Sequence, residues 1–307
     1  MPGPGGKPHP RRNQRSADFP VCRTADFPVG NAVEWRDYCR LESLRHGRLE
    51  SLRYEVHSCL HGGLLTDSAG MILHKLLARF VKCGDDPEFY LLQARDAIRW
   101  LEDSGVALGA QVRALDLGCG HGVFGSELVK RGCQVTFADE ENFLLPEIAK
   151  APFRQINIDR DELAILGKYD LVICSNVFEH LAKPNRFIDS VHQILSPNGR
   201  LYLSWTNWLS PWGGHDFAPF HYLGAGAGQW LFDKIVRRPR KHIVFKNLYP
   251  TYIGQVLKRI RQKSDLVILR AAPRYYTEFS FVLSIPIVRE FLAWNCALLI
   301  GLKRETR

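Results

Sequence analysis

Methionine is nearly missing from this chain: after Met1 the only one is Met71. Long apolar runs are missing too. A membrane-spanning helix needs roughly 18 consecutive apolar residues, and the best stretch, 279–302, carries Arg289 and Glu290 in its middle. The eight cysteines include no CxxC pair and no Cys/His set with zinc-ligand spacing. That argues against a disulfide framework and sets the expectation of free thiols and no metal. The opening MPGPGGKPHPRRNQR lacks the apolar centre of a secretory signal, so a cytoplasmic address is expected. What is present is an ordinary globular composition, 46% hydrophobic and 24% charged over 307 residues. It holds enough apolar mass for at least one substantial core.

Repeats confine themselves to the first seventy residues. ADFPV begins at Ala17 and again at Ala25, RLESLR at Arg40 and again at Arg48, each with a period of eight. No solenoid has that period and two copies cannot stack into one. Residues 1–70 therefore read as an extension outside the folded unit, disordered or derived from repetitive DNA, and residues 71–307 as the domain.

From residue 85 onward helical and strand patterns alternate. Asp86-Pro87 is a helix start, followed by Phe89, Leu92, Ile98 and Leu101 at roughly helical spacing. Residues 112–117, 134–138, 171–174 and 200–205 read as strands. Helices are expected at 123–130, closed by Gly132, and at 185–195. Two further strands fit at 265–269 and 297–300. Strands alternating with helices at this spacing predict a doubly wound, mostly parallel α/β sheet, with 209–250 as an insertion.

The segment Ala114-Leu-Asp-Leu-Gly-Cys-Gly-His-Gly122 leads a strand through a glycine turn into a helix. Such turns let the backbone approach a ligand at the carboxyl end of a parallel sheet. Gly120, Gly122 and Gly125 also spell GxGxxG, and Asp139, ending the next strand, could accept hydrogen bonds from ribose hydroxyls in either case. The glycines alone leave a dinucleotide and a sulfonium cofactor both open. Asp116 favours the second: at the strand end it would repel a pyrophosphate and suit a ligand carrying an ammonium and a sulfonium. DLGCGHG, YDLVICSNVFEHL (169–181) and LSPNGRLYLS (195–204), in that order, resemble the signature segments of class I S-adenosylmethionine (SAM) dependent methyltransferases, most of all the ubiquinone/menaquinone-biosynthesis and small-molecule branch.

The resemblance implies a Rossmann-like, doubly wound sheet of seven strands, in which Gly118, Gly120 and Gly122 line the methionine portion of SAM and Asp116 holds its amino group. It implies further that Asp139 binds the ribose, Asp159 (ahead of Asn157) the adenine, and Ser175 and Asn176 the methionine portion through the strand end. The loop after the fifth strand, TNWLSPWGGHDFAPFHYLG (206–224), mixes aromatics with His215, Asp216, His221 and Tyr222. It suggests an acceptor pocket with His215 or His221 as general base, Asp216 orienting such a histidine, and Trp208 and Tyr222 against the substrate.

Net charge is +9, and residues 234–263 hold ten Lys or Arg and no Asp or Glu. That field favours an anionic acceptor, an acidic carrier protein or peripheral contact with an anionic membrane surface. Nucleic acid is disfavoured: SNVFEH stands where amino-directed base methyltransferases carry (D/N/S)PP(Y/F), and no RNA-binding module is recognisable. The expected function is methyl transfer from SAM to a small-molecule or lipid-like acceptor. The alternatives are a nicotinamide-dependent oxidoreductase and a SAM-binding protein without catalysis.

A chain shortened to begin at Met71 is expected to fold and melt like the full chain. One kcal/mol shifts a domain of this size by about 2–4 °C. A melting temperature lower by more than about 10 °C would show that the first seventy residues pack against the domain.

Overall fold

A computed structural model describes residues 69–83, 87–237 and 239–303. The repeats, and the Asp86 expected to cap a helix, lie outside the described residues. Seven strands form one sheet: β1 (Arg113–Leu117), β2 (Gln134–Asp139), β3 (Phe153–Gln155), β4 (Tyr169–Ser175), β5 (Leu195–Thr206), β6 (Leu266–Pro273) and β7 (Asn295–Leu302). Their order is β3-β2-β1-β4-β5-β7-β6, parallel throughout except for β7, which runs against both neighbours. The order reverses between β1 and β4, where open α/β sheets bind ligands at their carboxyl edge.

The central strands are apolar on both faces because helices cover both. Leu171, Val172, Ile173 and Cys174 are all fully buried in succession, the mark of an interior parallel strand. One face is covered by α2 (Pro87–Asp103) and α3 (Val123–Lys130), following α1 (Ala69–Cys83). In α2 the buried Ala94, Ala97, Ile98 and Leu101 recur at helical spacing, and the last three share a core cluster with Ala114 and Leu171. The other face carries α4 (Pro184–Ser190) and α6 (Ile253–Gln262), the latter burying Ile253, Val256, Leu257 and Ile260. Among the described residues no helix is long and apolar enough to cross a membrane.

Two sequence expectations change in detail. The helix predicted at 185–195 stops at Ser190 and ends in a 3-10 turn, Val191–Ile194. The Pro/Gly turn expected before the fifth strand lies inside β5 as a bulge, the register against β4 moving from Leu195 to Arg200. Between β5 and α6 the inserted segment builds a small core of its own from Trp208, Phe217, Phe232, Val244 and Leu248. Helix α5 (Ala225–Ile235) supplies Phe232.

Helix α3 is seated under the glycine turn by Gly125. A Cβ there would stand 2.2 Å from the Phe137 ring and 3.0 Å from the Asp116 carboxylate. Gly to Ala in a helix normally stabilises by roughly 0.5–1 kcal/mol. Here Gly125→Ala is expected to destabilise by about 1–3 kcal/mol through overpacking, read as a lower urea midpoint. A midpoint at or above the parent's would mean that Phe137 yields freely.

Candidate active site

The carboxyl edge of the sheet gathers the site. After β1 the chain turns through Gly118, Gly120 and Gly122 with φ of 71°, 50° and 76°, in the left-handed region that favours glycine. The Gly118 and Cys119 amides donate to the Ala138 carbonyl at 2.8 and 3.1 Å, tying the turn to the end of β2. A Cβ on Gly118 would strike Val177 and one on Gly122 would strike Ile148 and Leu144. A Cβ on Gly120 would meet nothing within 4 Å. Two glycines are thus required by packing, and the third opens its backbone to a ligand.

Asp116 lies beneath this turn, 3% exposed, its carboxylate accepting the Gly125 amide at 2.7 Å. Burial raises its pKa to about 7, with the charge of Asp139 adding to the rise and the Gly125 hydrogen bond opposing it. Asp139 accepts the Gly120 amide on one oxygen and the Glu140 amide on the other, both at 2.7 Å. A buried acid, an open glycine and a carboxylate at the next strand end fit a ligand with a cationic head and a ribose. Cys119 is held as a thiol by burial and by the neighbouring Asp116 and Asp139, so it is no nucleophile.

At the end of β4, Asn176 takes a left-handed conformation (φ 55°) and gives its amide to the Ser204 carbonyl. Its side chain donates to Gln93 at 2.8 Å and accepts from Arg274 and Asn295, each at 3.1 Å. The Ser175 and Ser204 hydroxyls lie 3.0 Å apart. Arg274, only 2% exposed, also donates to Ser204 and to the Gln93 carbonyl, and its guanidinium lies over Phe124. Sequence reasoning missed Arg274, which follows an edge strand with no motif around it. It missed Gln93 as well, a polar residue on the buried face of α2 and hence a detectable break in that helix's apolar stripe.

Other expected site residues have protein partners of their own. Asp159 is committed elsewhere: its two carboxylate oxygens accept the Ala182 and Lys183 amides at 2.9 and 2.8 Å, pinning the entry to α4. Asn157 in turn donates to Glu140. His221 is 1% exposed, with Nε2 at 3.0 Å from the Ser210 carbonyl and its ring against Trp208. It is a packing residue of the inserted core, as is Trp208 at 5% exposure. Tyr222 is exposed and its hydroxyl donates to the Leu209 carbonyl. Asp216 does orient a histidine, but the partner is His242, whose Nδ1 lies 2.7 Å from its carboxylate.

His215 stands apart from His221. Its ring packs against those of His180 and His242, with centroids 5.3 and 4.6 Å away. Burial, followed by these two imidazoles, holds His215 well below the usual histidine pKa, so it is neutral. Beside this cluster runs an aromatic wall: Phe80 against Trp212 at 6.0 Å, Trp212 against Trp294 at 5.1 Å, and Trp294 against Tyr276 at 6.4 Å.

The family model for a methyltransferase domain matches residues 73–268, more than half of the chain. An uncharacterised methyltransferase of Mycobacteroides abscessus is 29% identical over 230 residues, covering 69% of this chain and 86% of its own length. One from Mycolicibacterium gilvum is 28% identical over 237 residues, covering 74% of this chain and 92% of its own. A solved S-adenosylmethionine dependent methyltransferase from Mesorhizobium loti aligns with 68% of this chain and 98% of its own at 18% identity, with a TM-score of 0.47. The nicotinamide alternative finds no support among these relatives. With the seven-stranded order, the glycine turn and the matched domain in agreement, the chain belongs to the class I SAM-dependent methyltransferases, and SAM is its cofactor.

Proposed function

We propose that this enzyme methylates an apolar, lipid-like small molecule held at the carboxyl edge of β4 and β5. One observation carries the acceptor class: the β6–β7 connection supplies Trp294 and Tyr276 to the aromatic wall and also carries large apolar side chains exposed to solvent. In the connection between β6 and β7, Phe281 is 60% exposed, Ile287 75% and Leu292 54%, with Phe279, Ile285 and Phe291 exposed beside them. Strand β6 is parallel to β5 because both run against β7, so this connection lies on the acceptor edge. Exposed apolar side chains on that connection suit a substrate that brings its own apolar area.

In this reading Asp116 pairs with the cofactor's amino group and the backbone of Gly118, Gly120 and Gly122 follows its methionine portion. Asp139 accepts the ribose hydroxyls, and Ser175 and Asn176 close the strand end. Methyl transfer from a sulfonium is an in-line displacement, and alignment can lower its barrier by about 7–11 kcal/mol. The aromatic wall offers flat apolar faces against which an acceptor can be oriented.

The basic window contributes more narrowly than its charge count suggests. Arg240 is paired with Asp233, and Arg259 and Lys263 with Asp189. Residues 234–246 adjoin the acceptor loop through the Lys241 and His242 amides, which donate to Asp216. This part of the window suits an anionic headgroup or an anionic membrane surface carrying the acceptor.

The test is incubation of the full chain with methyl-labelled SAM and an extract of its source cells, followed by solvent partition. Label is expected in the chloroform-soluble fraction. Label confined to precipitated protein or nucleic acid would overturn the acceptor class.

A further inference from the structure

Three histidines far apart in sequence meet beside the acceptor loop. His180 ends the 3-10 turn after β4, His215 begins a second such turn, and His242 follows α5. One ring nitrogen from each lies within 4.8 Å of the others. Tetrahedral coordination at about 2.0–2.1 Å places imidazole nitrogens about 3.4 Å apart, so a small inward movement would complete the set.

The protons on these rings are arranged for such a role. His180 Nδ1 faces the Asn247 carbonyl at 2.6 Å, and His242 Nδ1 faces the Asp216 carboxylate at 2.7 Å. A ring nitrogen facing an acceptor at that distance carries the proton, which leaves Nε2 with its lone pair free. His215 Nδ1 lies 3.5 Å from the Gly213 carbonyl. A carboxylate behind a histidine is the usual outer partner of a metal ligand, fixing its tautomer and raising its basicity. Asp216 is anchored for this by the Lys241 and His242 amides at 2.8 and 3.1 Å. His215 reaches the cluster from a left-handed backbone (φ 50°) that non-glycine residues seldom adopt. Chain spacing, on which no metal was expected, could not reveal a set assembled from 180, 215 and 242.

We propose that His180, His215 and His242 bind one divalent transition-metal ion, zinc foremost, with a fourth coordination position left to a non-protein ligand. Three neutral imidazoles suit zinc, and three protein ligands with an open position are the pattern of catalytic rather than structural zinc. An ion there would make a hydroxyl that it binds more acidic. That use rests on the methyltransferase reading and narrows the acceptor to a hydroxyl-bearing molecule. The binding site itself does not rest on it. His215 is then a ligand and not a general base.

The full chain without an affinity tag, stripped by a chelator, is titrated with Co²⁺ while visible absorption is followed, and with Zn²⁺ against a chromophoric chelator. One equivalent is expected to bind, with the intense bands of four-coordinate cobalt. His215→Ala and His242→Ala are expected to weaken zinc at least 100-fold, and Asp216→Asn about 10–100-fold. S-adenosylhomocysteine binding should persist in each variant, which reports the fold and keeps the cofactor reading separate. Should a variant not fold, X-ray absorption of the zinc-loaded parent decides, with three imidazole nitrogens at about 2.0–2.1 Å expected. No stoichiometric uptake by the parent, fewer than three imidazoles, or unweakened binding in folded variants would overturn the site.

Discussion

The hydrogen bond from the Gly125 amide to the buried Asp116 carboxylate joins the end of β1 to the first turn of α3, across the glycine turn between them. An acid so enclosed has lost its hydration, and one backbone amide does not replace it. Its pKa stands near 7 for that reason. The same geometry excludes a side chain at position 125 and leaves Gly120 open. Cofactor specificity follows: the turn that admits a ligand is floored by a group whose ionised form needs a cation above it. A pyrophosphate would meet the opposite charge balance, which is why a GxGxxG spacing here does not make a dinucleotide site.

The acceptor side is built on a different principle. Its contacts come from helix α1 and from the connections after β4, β5 and β6, which converge because those strands point the same way. Phe80, Trp212, Trp294 and Tyr276 form the apolar wall, and His180, His215 and His242 the polar corner. The Asn176–Arg274–Gln93 network lies between the two halves and locks the strand ends in register. In the proposed reading, cofactor binding is set by one strand–turn–helix unit, while acceptor recognition depends on long-range packing.

That division explains what the sequence made legible. Strand and helix periodicity over 112–139 and 169–205, with three motifs in order, were enough for the central strands and the cofactor loop, since these are local patterns, whereas the three-residue β3 left no pattern to read. At Asp159 the sequence could not show that its carboxylate also holds the Ala182 and Lys183 amides, partners more than twenty residues away along the chain. Trp208 and His221 looked like pocket residues because an aromatic-rich loop does not reveal which side faces its own core. His180 and His242 were not joined to His215, because they lie 35 and 27 residues from it along the chain.

The central claim is that Asp116 exchanges a proton for the cofactor's ammonium. With a pKa near 7 in the free protein, the group is protonated below that pH, and a cation bound against it favours the ionised form. Calorimetric titration with S-adenosylhomocysteine, repeated across pH in buffers of different ionisation heat, measures that exchange directly. The account predicts release of up to one proton below about pH 7, affinity rising with pH until that point and then levelling, and loss of this linkage in Asp116→Asn. Binding by the parent protein with no proton released and no change in affinity over the same range would contradict it.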